Sequence, residues 1–307
     1  SRMKEGWKIA VKKFLLLGFL TFGMAANGEV TFKTDIVYGH KDGMALIYDV
    51  LIPETPNEAA ILFMMSGGWY SSWGPPERRA LQFKDMLDAG FTVVPIYHGS
   101  APRYHIPDAY SDVSRAVRHV KMNAENYGID VSRIGVTGGS AGGHLSLMLG
   151  LDSDEGLAED SDSVMQIGNS VAAVVAYFPP VAFREQESLP VGIINNVSEE
   201  ELLSRFPALD YDAALVPTVS PILFVDSSDP PTLLIHGDQD PLVDVTHSFA
   251  IKAEFDEEGG ESELIVIPGG KQGFGGEDAE RDVHIEYFEN GVLEWQQSAG
   301  LRIHGGR

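Results

Sequence analysis

Apolar and polar residues alternate near the start of the chain and later give way to continuous apolar runs. The segments EVTFKTDIVYG and MALIYDVLIP alternate around HKDG, which predicts an N-terminal antiparallel hairpin. The later runs have the composition of strands that are covered on both faces. They are AAILFMM (59–65), FTVVPIY (91–97), SVAAVVAYFPP (170–180), PTLLIHG (231–237) and SELIVIP (262–268).

Segments between these runs have helical spacing. PERRALQFKDMLDAG predicts one helix that ends at Gly90. In DAYSDVSRAVRHVKMNAENYGID, Val113, Ala116, Val117 and Val120 follow the i, i+3, i+4, i+7 spacing that places apolar residues on one helix face. A helix is also expected after each of the last two apolar runs.

Strands that alternate with helices predict an α/β fold with a mostly parallel central sheet and helices on both faces. Ligands of such sheets bind at the carboxyl ends of the strands, so the residues directly after each apolar run are candidates for function. Residues 182–228 have weak periodicity, several prolines and many acidic residues. They predict a small cap-like insertion of loops and short helices over the sheet.

The first 26 residues have the pattern of a secretory signal. Lysines precede the apolar run from Phe14 to Ala26, and cleavage is expected after Ala25 or Ala26. The run is short for a membrane span. The alternative is an apolar helix that packs on the domain or on a second subunit of a homodimer. The signal interpretation predicts a secreted or periplasmic protein.

The charge balance narrows the range of partners. Lys and Arg number 22 against 45 Asp and Glu, a formal net charge of −23. Such a surface repels nucleic-acid phosphates and anionic lipids, so neither is expected as a partner. The chain has no cysteine, which excludes disulfides and thiolate catalysis. No group of His, Asp and Glu shows metal-ligand spacing, and neither a metal nor another cofactor is expected.

The segment GGSAGG is the first motif that carries chemistry. Gly138 to Gly142 fits G-x-S-x-G, and it lies between the strand-like RIGVT and the helix-like GHLSLML. Glycines permit a tight strand-to-helix turn that lifts Ser140 clear of the backbone, and the helix N-terminus behind it favours developing negative charge. A phosphate loop is the alternative, but its lysine and the G-x-G-x-x-G spacing are missing. Ser140 is therefore the predicted nucleophile.

Two further segments supply partners for a nucleophilic serine. MSGGWYSSWG follows the first apolar run, and the N–H groups of Gly67, Gly68 and Ala141 are the predicted oxyanion donors. HGDQDPLVD follows PPTLLI, where the acid of a Ser…Asp…His order belongs. Asp240 is the predicted acid and Asp238 the runner-up.

Together these segments resemble α/β-hydrolases of the esterase/lipase group, which includes the hormone-sensitive-lipase-like and the feruloyl or acetyl esterase-like families. The resemblance covers roughly residues 40–298 and is strongest in IPDAYSDVSRAVRHV, YGIDVSRIGVTGGSAGGHL and DPPTLLIHGDQDPLV. It implies an α/β-hydrolase catalytic domain over residues 27–307. The family's His-Gly-Gly-Gly-Trp-like motif is matched by Met65 to Trp69 without its histidine and first glycine. Trp69 and Tyr70 are expected to contact substrate.

The position of the catalytic base departs from the family pattern. Relatives have Gly-His-Gly-Phe after the last strand, whereas this chain has Lys271-Gln272-Gly273-Phe274. An amide cannot hold the serine proton near neutral pH, although Gln272 can hydrogen-bond both Ser140 and Asp240. The alternative candidates for the base are His284 on the expected last helix, His144 after the elbow, and His98 and His105 on a loop at the same rim.

Three interpretations of Gln272 stay open at this point: a slow natural variant or one with an unusual base, an introduced His→Gln exchange, and a pseudoenzyme. The resemblance implies a carboxylic ester hydrolase that acts on small acyl esters, with acetylated or feruloylated carbohydrate as a candidate substrate. The alternative is a catalytically impaired or non-catalytic protein that binds esters or glycans on the same fold.

Overall fold

The computed structural model describes residues 29–183, 198–272, 282–289 and 292–300. The signal-like segment and part of the predicted cap-like insertion lie outside the described residues. The strands are β1 Thr31–Lys41, β2 Met44–Ile52, β3 Ala60–Met64, β4 Thr92–Ile96, β5 Ile134–Gly139, β6 Ala173–Tyr177, β7 Thr232–Gly237, β8 Ser262–Ile267, β9 Asp282–Glu289 and β10 Val292–Gly300. The α-helices are α1 Pro76–Gln82, α2 Lys84–Asp88, α3 Ile106–Met122, α4 Ala141–Leu151, α5 Glu199–Arg205 and α6 Thr246–Glu258.

Eight strands form the central sheet in the order β1-β2-β4-β3-β5-β6-β7-β8. The first strand pairs antiparallel with β2, and β2 pairs antiparallel with β4. Every later pair, from β3–β4 to β7–β8, is parallel. This arrangement confirms the predicted mostly parallel sheet. It also brings the carboxyl ends of β3, β5, β7 and β8 to one edge, where ligands of such sheets bind.

The N-terminal hairpin is confirmed. Asp42 and Gly43 connect β1 to β2, and both have positive φ values of 48° and 80°. A two-residue turn with two positive φ angles matches the twist of the strands that it joins, and glycine at its second position favours it.

Helix α3 has the predicted apolar face. Val113, Ala116, Val117 and Val120 are all fully buried in the main core. Burial of this stripe fixes α3 against the sheet beside α4. His105 is the N-cap of the helix, and its backbone N–H donates to Asp108 Oδ2 at 3.1 Å.

Two helix predictions are corrected by the structure. The single helix expected up to Gly90 is broken at Phe83 into α1 and α2, because Phe83 leaves helical geometry and is buried under the sheet. The helix expected after β8 is not found in the described residues of that region. The ranges 282–289 and 292–300 instead form the antiparallel pair β9–β10.

The described part of residues 182–228 contains short helices, and their assignment to a cap-like insertion stays a prediction. Helix α5 is followed by 3₁₀ turns at Pro207–Leu209, Ala213–Val219 and Pro221–Leu223. Ala208, Val219 and Ile222 from these turns belong to the main core, so this part of the insertion is packed on the domain. Over the described ranges, none of the helices combines the length and apolar character that crossing a bilayer requires.

Candidate active site

Ser140 occupies the turn between β5 and α4. Its backbone has φ 54° and ψ −118°, a strained conformation for a residue that carries a Cβ. Two hydrogen bonds hold the turn: the Ser140 N–H donates to the Tyr177 carbonyl at 2.9 Å, and the His144 N–H donates to the Ser140 carbonyl at 2.9 Å. The hydroxyl therefore stands at the carboxyl edge of the sheet and at the N-terminus of α4.

The flanking glycines are required by close backbone contacts. A Cβ on Gly138 would lie 2.6 Å from the carbonyl carbon of Gly142. A Cβ on Gly142 would lie 2.7 Å from the carbonyl oxygen of Met64 at the end of β3. The absence of these side chains lets the oxyanion loop, which we define as residues 65–71, approach the elbow.

Gln272 lies beside the nucleophile. Its Nε2 donates a hydrogen bond to Ser140 Oγ at 3.1 Å. The loops after β7 and β8 are joined close by, because the Gln239 N–H donates to the Gly270 carbonyl at 2.9 Å and Asp238 Oδ1 accepts from the Gly269 N–H at 2.7 Å. Asp238 is thus used in a loop-to-loop contact. The structure brings Ser140 and Gln272 together as a hydrogen-bonded pair.

The Asp240 side chain is fully buried, and one of its two carboxylate oxygens accepts hydrogen bonds. Its Oδ1 accepts from the N–H groups of Leu242 at 2.8 Å and Val243 at 3.0 Å. Its Oδ2 has no hydrogen-bond partner among the described residues and lies 3.6 Å from His236 Nε2. His236 Nε2 donates instead to the Val243 carbonyl at 2.8 Å.

Within the described residues, no histidine is hydrogen-bonded to Ser140 Oγ. His98 and His144 are buried and use both ring nitrogens in other contacts. Burial lowers the pKa of each to about 4. His105 caps α3. His284 is on strand β9 rather than on a helix.

The oxyanion loop is a tight bridge with unusual backbone angles. The Gly67 N–H donates to the Tyr70 carbonyl at 3.0 Å, and the Tyr70 N–H returns the bond to the Gly67 carbonyl at 3.0 Å. The Gly67 N–H is therefore engaged inside the loop, while the roles of Gly67, Gly68 and Ala141 as oxyanion donors stay predictions. Gly68 has φ 56°, and a Cβ on it would lie 3.2 Å from the Phe206 ring. Phe206 directly follows α5, and the sequence does not indicate it because it belongs to no recognisable motif.

The aromatic residues of this segment differ in their surroundings. Trp69 is 2% exposed, and its ring packs edge-on against His144 and Phe183. The indole belongs to the main core, and its contact with substrate stays a prediction. Tyr70 is 41% exposed and Trp73 53% exposed, so these two rings remain available at the surface.

The side chains of the described ranges include no group of three or more His, Asp or Glu residues that could hold a metal ion. The polar groups described at this edge of the sheet are the Ser140 hydroxyl, the Gln272 amide, the buried Asp240 carboxylate and main-chain N–H groups.

Comparisons with known proteins agree with this geometry. The BD-FAE protein-family model matches residues 48–255. Esterase LipQ from Mycobacterium tuberculosis (strain ATCC 25618 / H37Rv) is 30% identical over 201 residues, which are 64% of this chain and 45% of LipQ. Ethyl acetate hydrolase from Pseudomonas putida is 28% identical over 246 residues, which are 77% of this chain and 73% of that protein. The chain spans about half the length of the mycobacterial relatives that it matches.

A solved structure has the same architecture. It is a truncated form of a carbohydrate esterase from gut microbiota, 30% identical, with a TM-score of 0.66 over 81% of this chain and 92% of that chain. Together with the sheet order, this likeness confirms the predicted α/β-hydrolase fold.

Proposed function

This chain belongs to the BD-FAE family, and from that premise we propose that it is a carboxylic ester hydrolase that acts on small acyl esters. The observation that carries the proposal is the hydrogen bond of 3.1 Å between Ser140 Oγ and Gln272 Nε2 at a strained strand-to-helix turn. A serine held in this way at the N-terminus of a helix has the setting of an acyl-transfer nucleophile.

In the proposed reaction Ser140 Oγ attacks the ester carbonyl carbon, and the carbonyl oxygen becomes an oxyanion. The N–H groups of Gly68 and Ala141 stabilise that charge. Ala141 is the first residue of α4, and the N–H groups of a first helical turn have no acceptor inside the helix. Collapse of the intermediate breaks the bond to the alkoxy oxygen, which takes a proton from water as the alcohol leaves. Water then attacks the acyl-serine and loses a proton to solvent, and Ser140 Oγ takes a proton back from solvent as the acid is released.

The proton of Ser140 is the difficulty in this reaction. Gln272 donates a hydrogen to Oγ and has no basic nitrogen, so it cannot receive the proton. Solvent water must accept it, which slows both acylation and deacylation. Loss of a triad base costs about 10⁶ in rate in a well-studied serine protease, while the oxyanion hole and binding retain roughly 10³–10⁴ over water.

The substrate class is a further part of the proposal. We propose acetyl or other small acyl groups on a carbohydrate alcohol. Two likenesses support this: the solved neighbour is a carbohydrate esterase, and one relative is an ethyl acetate hydrolase. The signal-like N-terminus supports a secreted or periplasmic location.

Gln272 favours a second candidate, a protein that binds esters or glycan esters with little or no turnover. Asp240 Oδ2 is buried and has no hydrogen-bond donor among the described residues, which supports the same candidate.

Hydrolysis of p-nitrophenyl acetate by the native chain, Ser140→Ala and Gln272→His tests both candidates. We expect a low rate in the native chain, none above background in Ser140→Ala, and a rise of at least about 10³ in Gln272→His, because a neutral imidazole can take the proton. Ser140 labelling by a fluorophosphonate provides a second readout. The esterase proposal fails if Gln272→His is folded but neither hydrolyses nor is labelled; binding of an acetylated xylo-oligosaccharide would then support the second candidate.

A further inference from the structure

We propose that two buried histidines, His98 and His144, are positioning residues that hold the oxyanion loop against the nucleophile elbow from its two sides. The catalytic consequence of this clamp rests on the proposed esterase function, whereas its structural content does not. The loop needs such support because Gly68 and Trp69 are consecutive residues with positive φ, 56° and 60°. A tryptophan in that conformation persists only where its surroundings fix it.

His98 holds the first part of the loop. It follows β4 and is 5% exposed. Its Nδ1 lies 2.8 Å from the Gly99 carbonyl oxygen, which can only accept, so Nδ1 carries the hydrogen. The neutral ring then accepts at Nε2, and the Ser66 hydroxyl donates to it at 2.8 Å. The pKa of His98, lowered to about 4 by burial, keeps the ring neutral.

His144 holds the middle of the loop. It lies on α4, one turn after Ser140, and is fully buried. Its Nε2 donates to the Val219 carbonyl at 2.7 Å, and its Nδ1 accepts from the Trp69 indole N–H at 3.3 Å. The nucleophile helix is thereby connected to the oxyanion loop and to the 3₁₀ turn of the cap-like insertion through one imidazole.

Ser71 connects the loop to the same segment as His98. Its hydroxyl donates to the Met65 carbonyl at 2.7 Å and accepts from the backbone N–H of His98 at 3.2 Å. Its N–H donates to Ser100 Oγ at 3.0 Å. The loop is therefore fixed to β4 on one side and to α4 on the other, which sets the direction of the Gly68 N–H relative to Ser140.

Amide hydrogen exchange by NMR tests the clamp without reference to activity. The reporters are the hydrogen-bonded N–H groups of Gly67, Tyr70 and Ser71. Ser66→Ala removes the donor to His98, and His144→Phe removes both bonds of His144. We expect exchange at the reporters to be at least about tenfold faster in each variant, with the amides of β7 unchanged, because the opening is local.

Two control variants sharpen the test. His144→Gln can accept with Oε1 and donate with Nε2, so it should restore slow exchange. His119→Gln removes an imidazole that is bonded to Tyr48 and lies away from the loop, and it should change nothing at the reporters. Unchanged exchange in Ser66→Ala and His144→Phe overturns the clamp, and so does equal acceleration at the reporters and in β7.

Activity provides the second readout, in a Gln272→His background. Ser66→Ala should lower kcat about tenfold at nearly constant KM, because a displaced oxyanion donor weakens binding of the transition state alone. Active sites counted by fluorophosphonate must stay constant, since a folding defect would lower that count and leave the kcat per site unchanged. An inactive Gln272→His parent would refute the proposed function, while the exchange data would still decide the clamp.

Discussion

At the scale of single residues, two glycines of β5 differ in the space around them. The turn at Ser140 leaves no room for a Cβ on Gly138, whereas Gly135 has room for one. A Cβ on Gly138 meets backbone of Gly142 at 2.6 Å, whereas one on Gly135 meets only the Ala173 carbonyl oxygen at 3.6 Å. We predict that Gly138→Ala lowers the free energy of unfolding by about 2 kcal/mol or more, because backbone cannot yield as a side chain does. Gly135→Ala should be neutral or slightly stabilising. Urea unfolding of both variants measures this, and equal effects would contradict it.

The positions of single residues could be predicted where a short stretch of consecutive residues determines them. Ser140 stands out because the strained turn needs glycines within two positions on either side. Gln272 stands out because it follows the last parallel strand. The burial of Trp69 and the pairing of Ser66 with His98 depend on contacts between segments distant in sequence, and no local pattern encodes them. The Gly67–Tyr70 bridge could not be predicted either, because it depends on positive φ angles at both Gly68 and Trp69.

At the scale of elements, α3 shows how an apolar stripe fixes a helix. Val117 on that stripe is fully buried, whereas Val131 outside it is 47% exposed. We predict that Val117→Ala costs about 2 kcal/mol of stability through lost burial and a residual cavity. Val131→Ala should change stability by less than about 0.5 kcal/mol. Thermal or urea unfolding gives both values, and similar losses at the two sites would show that the stripe does not carry the packing.

Element types were predicted well where periodicity and flanking turns agree, as in the hairpin, β3 to β8 and α3. They failed where composition is ambiguous. The segment before Gly90 has helical composition throughout, yet Phe83 buries its ring by leaving the helix. The ranges 282–289 and 292–300 contain alternating apolar residues such as Val283, Ile285 and Tyr287, a period that is compatible with strands.

At the scale of the whole molecule, buried neutral histidines and buried carboxylates oppose each other as the pH falls. Burial lowers the folded-state pKa of His98 and His144 to about 4, below the unfolded value of 6.5. Their stabilising contribution is present above pH 6.5 and is lost as the pH falls towards 4. Burial raises the pKa of Asp49 and Asp112, so these contribute stability at low pH that is lost as the pH rises. The free energy of unfolding therefore rises with pH through the two histidines and falls with pH through the two carboxylates.

Comparison with a single variant separates these contributions. His144→Gln keeps a donor and an acceptor in place but has no group that titrates. Between pH 8 and pH 4 the free energy of unfolding of the native chain should fall by about 3 kcal/mol more than that of the variant. The reason is that the unfolded chain binds a proton at His144 that the buried imidazole does not bind above pH 4. Urea unfolding of both proteins across this range measures the difference, and the carboxylate contributions cancel in it. A stability difference independent of pH would mean that folded His144 binds a proton as readily as the unfolded chain does, which is incompatible with an Nδ1 that accepts from Trp69.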